Sequence, residues 1–143
     1  ANELLQVEAI RRKTPFRILE IMGVRIADAL FWGVPAEFFQ RFALEVRAAA
    51  PFSHTCCVEL ANGYNGYVCT KEAFSGGGYE VRTARSSLLE TDTGDRIAAA
   101  ARRLARRLSD KAARELQSLP DRRVWPVVHD TALDGIRQID KKR

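Results

Sequence analysis

Arg17-Ile-Leu-Glu-Ile-Met-Gly-Val-Arg-Ile-Ala-Asp-Ala-Leu-Phe-Trp32 is the stretch that decides the fold. It is rich in Ile, Leu, Val and Phe, with charges interleaved at Glu20, Arg25 and Asp28, which is the pattern of strands. Gly23 divides it, so Arg17–Met22 and Val24–Trp32 read as two strands whose join is short enough for a hairpin. Gly33-Val34-Pro35 stops the second strand. A helix is expected from Ala36 to Ala50, with proline just before its start and Pro51 just past its end. Phe38, Phe42 and Val46 recur at i, i+4 and i+8 and give that helix one apolar face. His54 to Leu60 then reads as a short buried strand.

Further along, Thr93 or Asp95 caps a long helix that runs to Leu119, where Pro120 ends it. Ile97, Ala101, Leu104, Leu108 and Ala112 form its apolar stripe, and Arg102, Arg103, Arg106, Arg107, Lys111 and Arg114 load the remainder. The tail holds an apolar run around Trp125 and Val128, followed by a weak helix from Thr131 to Ile139. Strands alternating with helices place the chain in the α/β or α+β class.

A length of 143 residues suits one domain with a real core. No apolar run approaches the roughly 20 residues that span a bilayer; Ile26 to Phe39 comes nearest and is broken by Asp28, Pro35 and Glu37. Three cysteines (Cys56, Cys57, Cys69) give no disulfide framework and read as buried apolar thiols. Residues 1–92 carry ten Lys/Arg against eleven Asp/Glu, and residues 93–143 carry thirteen against seven. The net charge of +5 therefore belongs to the C-terminal third.

Functional interest concentrates elsewhere, from Ala61 to Glu80. That stretch holds all three tyrosines (Tyr64, Tyr67, Tyr79) and reads as irregular backbone presenting phenols, the usual construction of a site on a rigid scaffold. Gly76-Gly77-Gly78 lacks the Lys-Ser/Thr of a phosphate loop. His54 reads as structural. His129 beside Asp130 has the composition of a catalytic dyad, although most such neighbours are not one.

Gly33-Val-Pro-Ala-Glu37, Asn62-Gly-Tyr-Asn-Gly-Tyr67-Val-Cys-Thr70 and Tyr79-Glu80 together resemble the end of the catalytic domain of the neutral/alkaline ceramidase family, zinc-dependent amidases. The likeness covers about a third of the chain and is nearest to the shorter bacterial ceramidase-like proteins. It implies that residues 1–119 are the C-terminal part of such a domain, ending in the long basic helix, with 120–143 a basic tail that includes a short helix. It implies Glu37 and Tyr67 as zinc ligands, Tyr79 as the catalytic tyrosine facing the substrate amide, and Asn62 and Tyr64 as substrate-binding residues. The family's two zinc histidines and serine nucleophile lie upstream of the matching segment. The resemblance thus implies an N-acyl lipid substrate, Zn²⁺ as cofactor, and no activity in this chain without the upstream part of the same catalytic domain.

Other readings stand beside that one. Glu37 in the first turn of a helix is favoured by the helix dipole with no metal present. The three tyrosines, taken alone, are ordinary half-buried aromatics. The Arg-rich helix suits weak contact with an anionic membrane surface, and no motif for specific nucleic-acid binding is present. A metal-free relative that keeps only the fold is the remaining alternative.

Overall fold

The computed structural model describes residues 2–118 and 127–137. The chain is of the general α+β class: four helices among those residues and a small mixed sheet. In order, they are α1 (Asn2–Lys13), β1 (Phe16–Ile26), β2 (Ala29–Gly33), β3 (Glu37–Phe38), α2 (Gln40–Ala49), β4 (His54–Val58), β5 (Tyr67–Val68), α3 (Lys71–Gly76), α4 (Thr93–Ser118) and β6 (Val127–Arg137). The main sheet has the order β4-β2-β1-β6, and β3 pairs with β5 in a second, two-stranded sheet. β1 is antiparallel to both neighbours, whereas β2 and β4 run parallel and are connected through α2.

Gly23 is not a turn. It lies within β1, which continues unbroken to Ile26, and a two-residue turn at Ala27-Asp28 makes the hairpin instead. The reason lies across the layer interface. A Cβ on Gly23 would stand 2.8 Å from Leu108 Cδ1 and 3.1 Å from Leu104 Cδ2, so glycine lets α4 lie close on the strand. The turn needs Ala27 at φ 52, a left-handed conformation that costs an alanine energy. Arg25 Nε donates to the Ala27 carbonyl at 2.6 Å, and the Asp28 carbonyl and carboxylate accept from His54 N and Ser53 N. These bonds hold the turn against the start of β4, and the Ser53 hydroxyl together with the Ser53 N–H keeps the Asp28 carboxyl below its usual range.

Two further expectations are corrected. The first helix after Pro35 begins at Gln40, and Glu37 lies on β3, outside it. A hydrogen bond from Glu37 N to the Gly66 carbonyl, at 3.0 Å, holds that backbone extended. In the tail, Thr131 to Arg137 is strand where a helix was expected; the remainder, to Ile139, lies outside the described residues, as do Leu119, Pro120 and Trp125. β6 pairs with β1 along the whole length of both strands, which satisfies the backbone edge that β1 would otherwise leave open. α4 is thus followed by another strand of the same sheet.

The core lies between the sheet and the α2/α4 layer. Leu19 and Ile21 of β1 and Leu30 and Trp32 of β2 face Phe42 and Val46 of α2 and Ile97, Leu104 and Leu108 of α4, all buried. Trp32 meets Phe38 edge to face at 5.8 Å, and Phe38 meets Phe42 at 5.1 Å. β4 is less buried than expected: Thr55 alone is fully inside, Cys57 is half-buried and Cys56 is exposed. Burial raises the Cys57 thiol to about 12 and the Cys69 thiol to about 11. No described helix is long and apolar enough to cross a membrane.

At the start of α4, Gly94 faces the Phe42 ring so closely that a Cβ there would overlap it. Gly94→Ala should gain about 1 kcal/mol of helix propensity and lose more to overpacking, for which about 1–3 kcal/mol is usual. The expected result is a lower midpoint in denaturant titration, partly restored when Phe42→Leu is added.

Candidate functional site

The site begins where β2 ends. Val34 N donates to the Val58 carbonyl, Ala61 N to the Val34 carbonyl and Leu60 N to the Ala36 carbonyl, so the Gly33–Ala36 segment runs beside the turn after β4. Leu60 (φ 56) and Asn62 (φ 60) give that turn its left-handed residues. The chain then returns and places β5 parallel to β3, with Glu37 opposite Tyr67 and Phe38 opposite Val68. Paired residues in a ladder share a face. Phe38 and Val68 go into the core, and Glu37 and Tyr67 go to the other side, partly exposed.

Gly66 makes this approach possible. Its φ of 77 suits glycine, and a Cβ there would overlap the Ser86 carbonyl oxygen. Tyr67 N donates to that same oxygen at 2.8 Å, so the 84–87 segment supports β5 from its other side. Asn65 fixes the opposite end. Its Nδ2 donates to the Pro35 carbonyl at 3.0 Å, and its Oδ1 accepts from Arg17 Nη1 of β1 at 3.5 Å.

Four side chains meet here. The Tyr67 phenol hydrogen-bonds to the Glu37 carboxylate, and this is the main reason its pKa rises to about 12. Tyr64 is also raised, chiefly by the partial loss of water around its phenol, then by the Glu37 charge and a hydrogen bond to it. The Tyr79 ring lies edge-on to that of Tyr67, with centroids 5.9 Å apart and planes at 80°. Tyr64 and Tyr79 are mostly exposed, at 54% and 61%, so the cluster opens to solvent. The Arg82 guanidinium lies 5.7 Å from the centre of the Tyr79 ring and 3.9 Å from Glu3 of α1.

The structure therefore brings together Glu37, Tyr64, Tyr67 and Tyr79. Asn62 is engaged differently, its amide donating to Met22 Sδ at 2.8 Å. Asn65 and Arg82 were not singled out from the sequence. A signal for Asn65 was there, because Asn62-Gly-Tyr is repeated at once as Asn65-Gly-Tyr and either asparagine suits the positioning role. For Arg82 no motif pointed the way. His129 and Asp130 lie in the β6 ladder opposite Val24 and Gly23.

As donors for a metal, Glu37 and Tyr67 fit as two oxygens on one face. Among the described residues, no group of three His, Cys, Asp or Glu side chains is placed to hold an ion. The Glu37–Tyr67 contact keeps the phenol proton in place, and a cation between the two would have to displace it. Comparison with family models, with curated proteins and with solved structures finds no match.

The Tyr67 phenol is held above the ordinary value of about 10, so the fold favours its neutral form. The stability this contributes is complete below about pH 10 and is lost as pH rises towards about 12. Carbon NMR titration of ring-labelled tyrosine should show Tyr67 ionising last. In Glu37→Gln it should ionise at distinctly lower pH.

Proposed function

We propose that this chain is the C-terminal portion of a zinc-dependent, ceramidase-like amidase that hydrolyses the amide bond of an N-acyl lipid. The observation that carries the reading is the pairing of Glu37 with Tyr67. Thirty residues apart in sequence, they stand opposite each other on one face, with Tyr79 against Tyr67. The resemblance requires that same pair as zinc ligands and that same tyrosine beside the reacting carbonyl. Zinc bound there would lower the pKa of its water and polarise the amide.

Each residue then has a distinct task. Glu37 supplies a carboxylate oxygen. Tyr67 supplies a phenol oxygen once its proton is gone. Tyr79, exposed and preceded by three glycines, presents a hydroxyl that can donate to a developing oxyanion. Tyr64, beside Glu37, flanks the opening on the substrate side, whereas the Asn62 amide is turned to Met22 and would have to leave it to meet a substrate. Two histidines and a serine from an upstream part of the same domain complete the constellation, because two oxygens cannot supply a four-coordinate shell.

A second reading rests on α4, where Arg103, Arg106, Lys111 and Arg114 are exposed on the helix. That stripe suits weak contact with an anionic membrane surface, which would present an N-acyl lipid to the site. Binding to vesicles rich in anionic lipid should then fall steeply with added salt.

Residues 1–143 alone should bind zinc weakly and show no amidase activity; tight stoichiometric zinc binding would mean that the ligands lie elsewhere. In the longer polypeptide, Glu37→Gln and Tyr67→Phe should each lose metal. Tyr79→Phe should keep its zinc and lose turnover by roughly 10²–10³, the usual cost of one oxyanion donor. Metal analysis and single-substrate kinetics on the three variants check this division of labour.

A further inference from the structure

The two faces of the main sheet are unlike. Odd-numbered residues of β1 from Leu19 to Gly23 face α4 and are buried, whereas the even-numbered series Ile18, Glu20, Met22, Val24 and Ile26 points the other way. The register continues that second face across the sheet: Val24 lies opposite Phe31 of β2, and Phe31 opposite Cys56 of β4, with Gly33 opposite Val58 beside them. On it Ile18 is 74% exposed, Ile26 50%, Phe31 41% and Val58 47%. An outward sheet face in a two-layer fold is ordinarily polar. Here Glu20, His54 and the Cys56 thiol are the titratable side chains that β1, β2 and β4 place on it.

We propose that this face is the interface of a homodimer, with two copies of the chain packed sheet against sheet about a twofold axis. The inference concerns residues 1–143 themselves and does not depend on the zinc reading. Area is the first argument. Half of a standard interface is roughly 800 Å², more apolar at its core, and the four exposed side chains named above supply on the order of 400 Å² of apolar surface. An apolar face to which β1, β2 and β4 bring so little charge can meet a copy of itself, as an isologous contact requires. Charge is the second argument. Each copy has a net charge of +5, and its exposed Arg103, Arg106, Lys111 and Arg114 lie on α4, in the layer on the opposite side of the sheet. Association through the sheet puts the two basic helices on opposite outer surfaces, where their repulsion is least.

Cys56 supplies a built-in probe. It is exposed and lies on this face, whereas Cys57 is half-buried and Cys69 buried, both with raised thiol pKa values. Light scattering after size exclusion should give about twice the chain mass of 16.0 kDa at tens of micromolar. Phe31→Glu and, separately, Ile18→Lys should each return the mass to that of one chain with an unchanged circular dichroism spectrum. Leu44→Glu, an exposed apolar position on α2, should leave the dimer intact. Thiol labelling of the wild-type chain should be slow at Cys56 and should quicken on dilution, a readout that needs no variant to fold. The proposal is overturned by a monomer that labels rapidly at every concentration. It is equally overturned by a monomer in which Cys56 stays protected, which would mean that another segment of the chain covers the face. A dimer broken by Leu44→Glu but not by Phe31→Glu would place the interface on the helical side.

Discussion

The close approach of α4 to its neighbours is the constraint on which the rest of this structure depends. Two glycines permit it. Gly23 removes a side chain from the middle of β1 where Leu104 and Leu108 press in, and Gly94 removes one where α4 begins against the Phe42 ring. With both contacts made, α4 covers the inner face of β1 and packs on α2. The buried side of the sheet is then satisfied by a single helical layer. In chain order β3 and α2 follow the end of β2, and α2 packs beside α4 in the same layer.

Glu37 is positioned by this geometry and not by the helix that follows it. A carboxylate on a two-residue strand has none of the free N–H groups of a helix start to stabilise it, so its partners are the phenols across the ladder. The same contact has opposite consequences for the two residues. It gives Glu37 hydrogen-bond donors, and it makes the Tyr67 proton harder to remove. Any chemistry that needs a phenolate here must therefore bring a positive charge with it. Arg82, which lies beside Tyr79, is turned to that ring and to Glu3 instead.

Much of this was legible in the sequence, and the failures share a cause. The strand character of Arg17–Met22, Val24–Trp32 and His54–Leu60, the start of α4 at Thr93 and the buried stripe Ile97–Ala101–Leu104–Leu108 follow from local sequence pattern. Gly23 was misread because a glycine between two apolar runs has the same local signature whether it turns the chain or admits a helix. Only Leu104 and Leu108, more than eighty residues away, distinguish the two. Glu37 was read into a helix because Pro35 is a good start signal; the bond that holds it extended comes from Gly66. β6 is the same case on a larger scale: Asp130-Thr-Ala-Leu-Asp-Gly has little strand propensity, and its pairing is decided by the open edge of β1. In the site, the fixed spacing of Glu37, Tyr67 and Tyr79 drew attention to residues that do converge. Asn65 was passed over because its twin three residues earlier carries the same local pattern.

A single helical layer also leaves a debt on the other side of the sheet. One set of β1 side chains is fully spent on α4, and the alternate set, nearly as apolar, is left facing outward. The phenol site and this outer face are not independent. Asn62 reaches Met22 of the outward series, and a side chain on Gly33 would meet both Met22 and Ala61, so the loop that carries Tyr64 rests on the rim of the same surface. Whatever covers the face therefore borders the loop that carries Tyr64, one of the two phenols that interact with Glu37. A sheet face that none of the site's own residues belongs to is in this way tied to the loop that holds one of them.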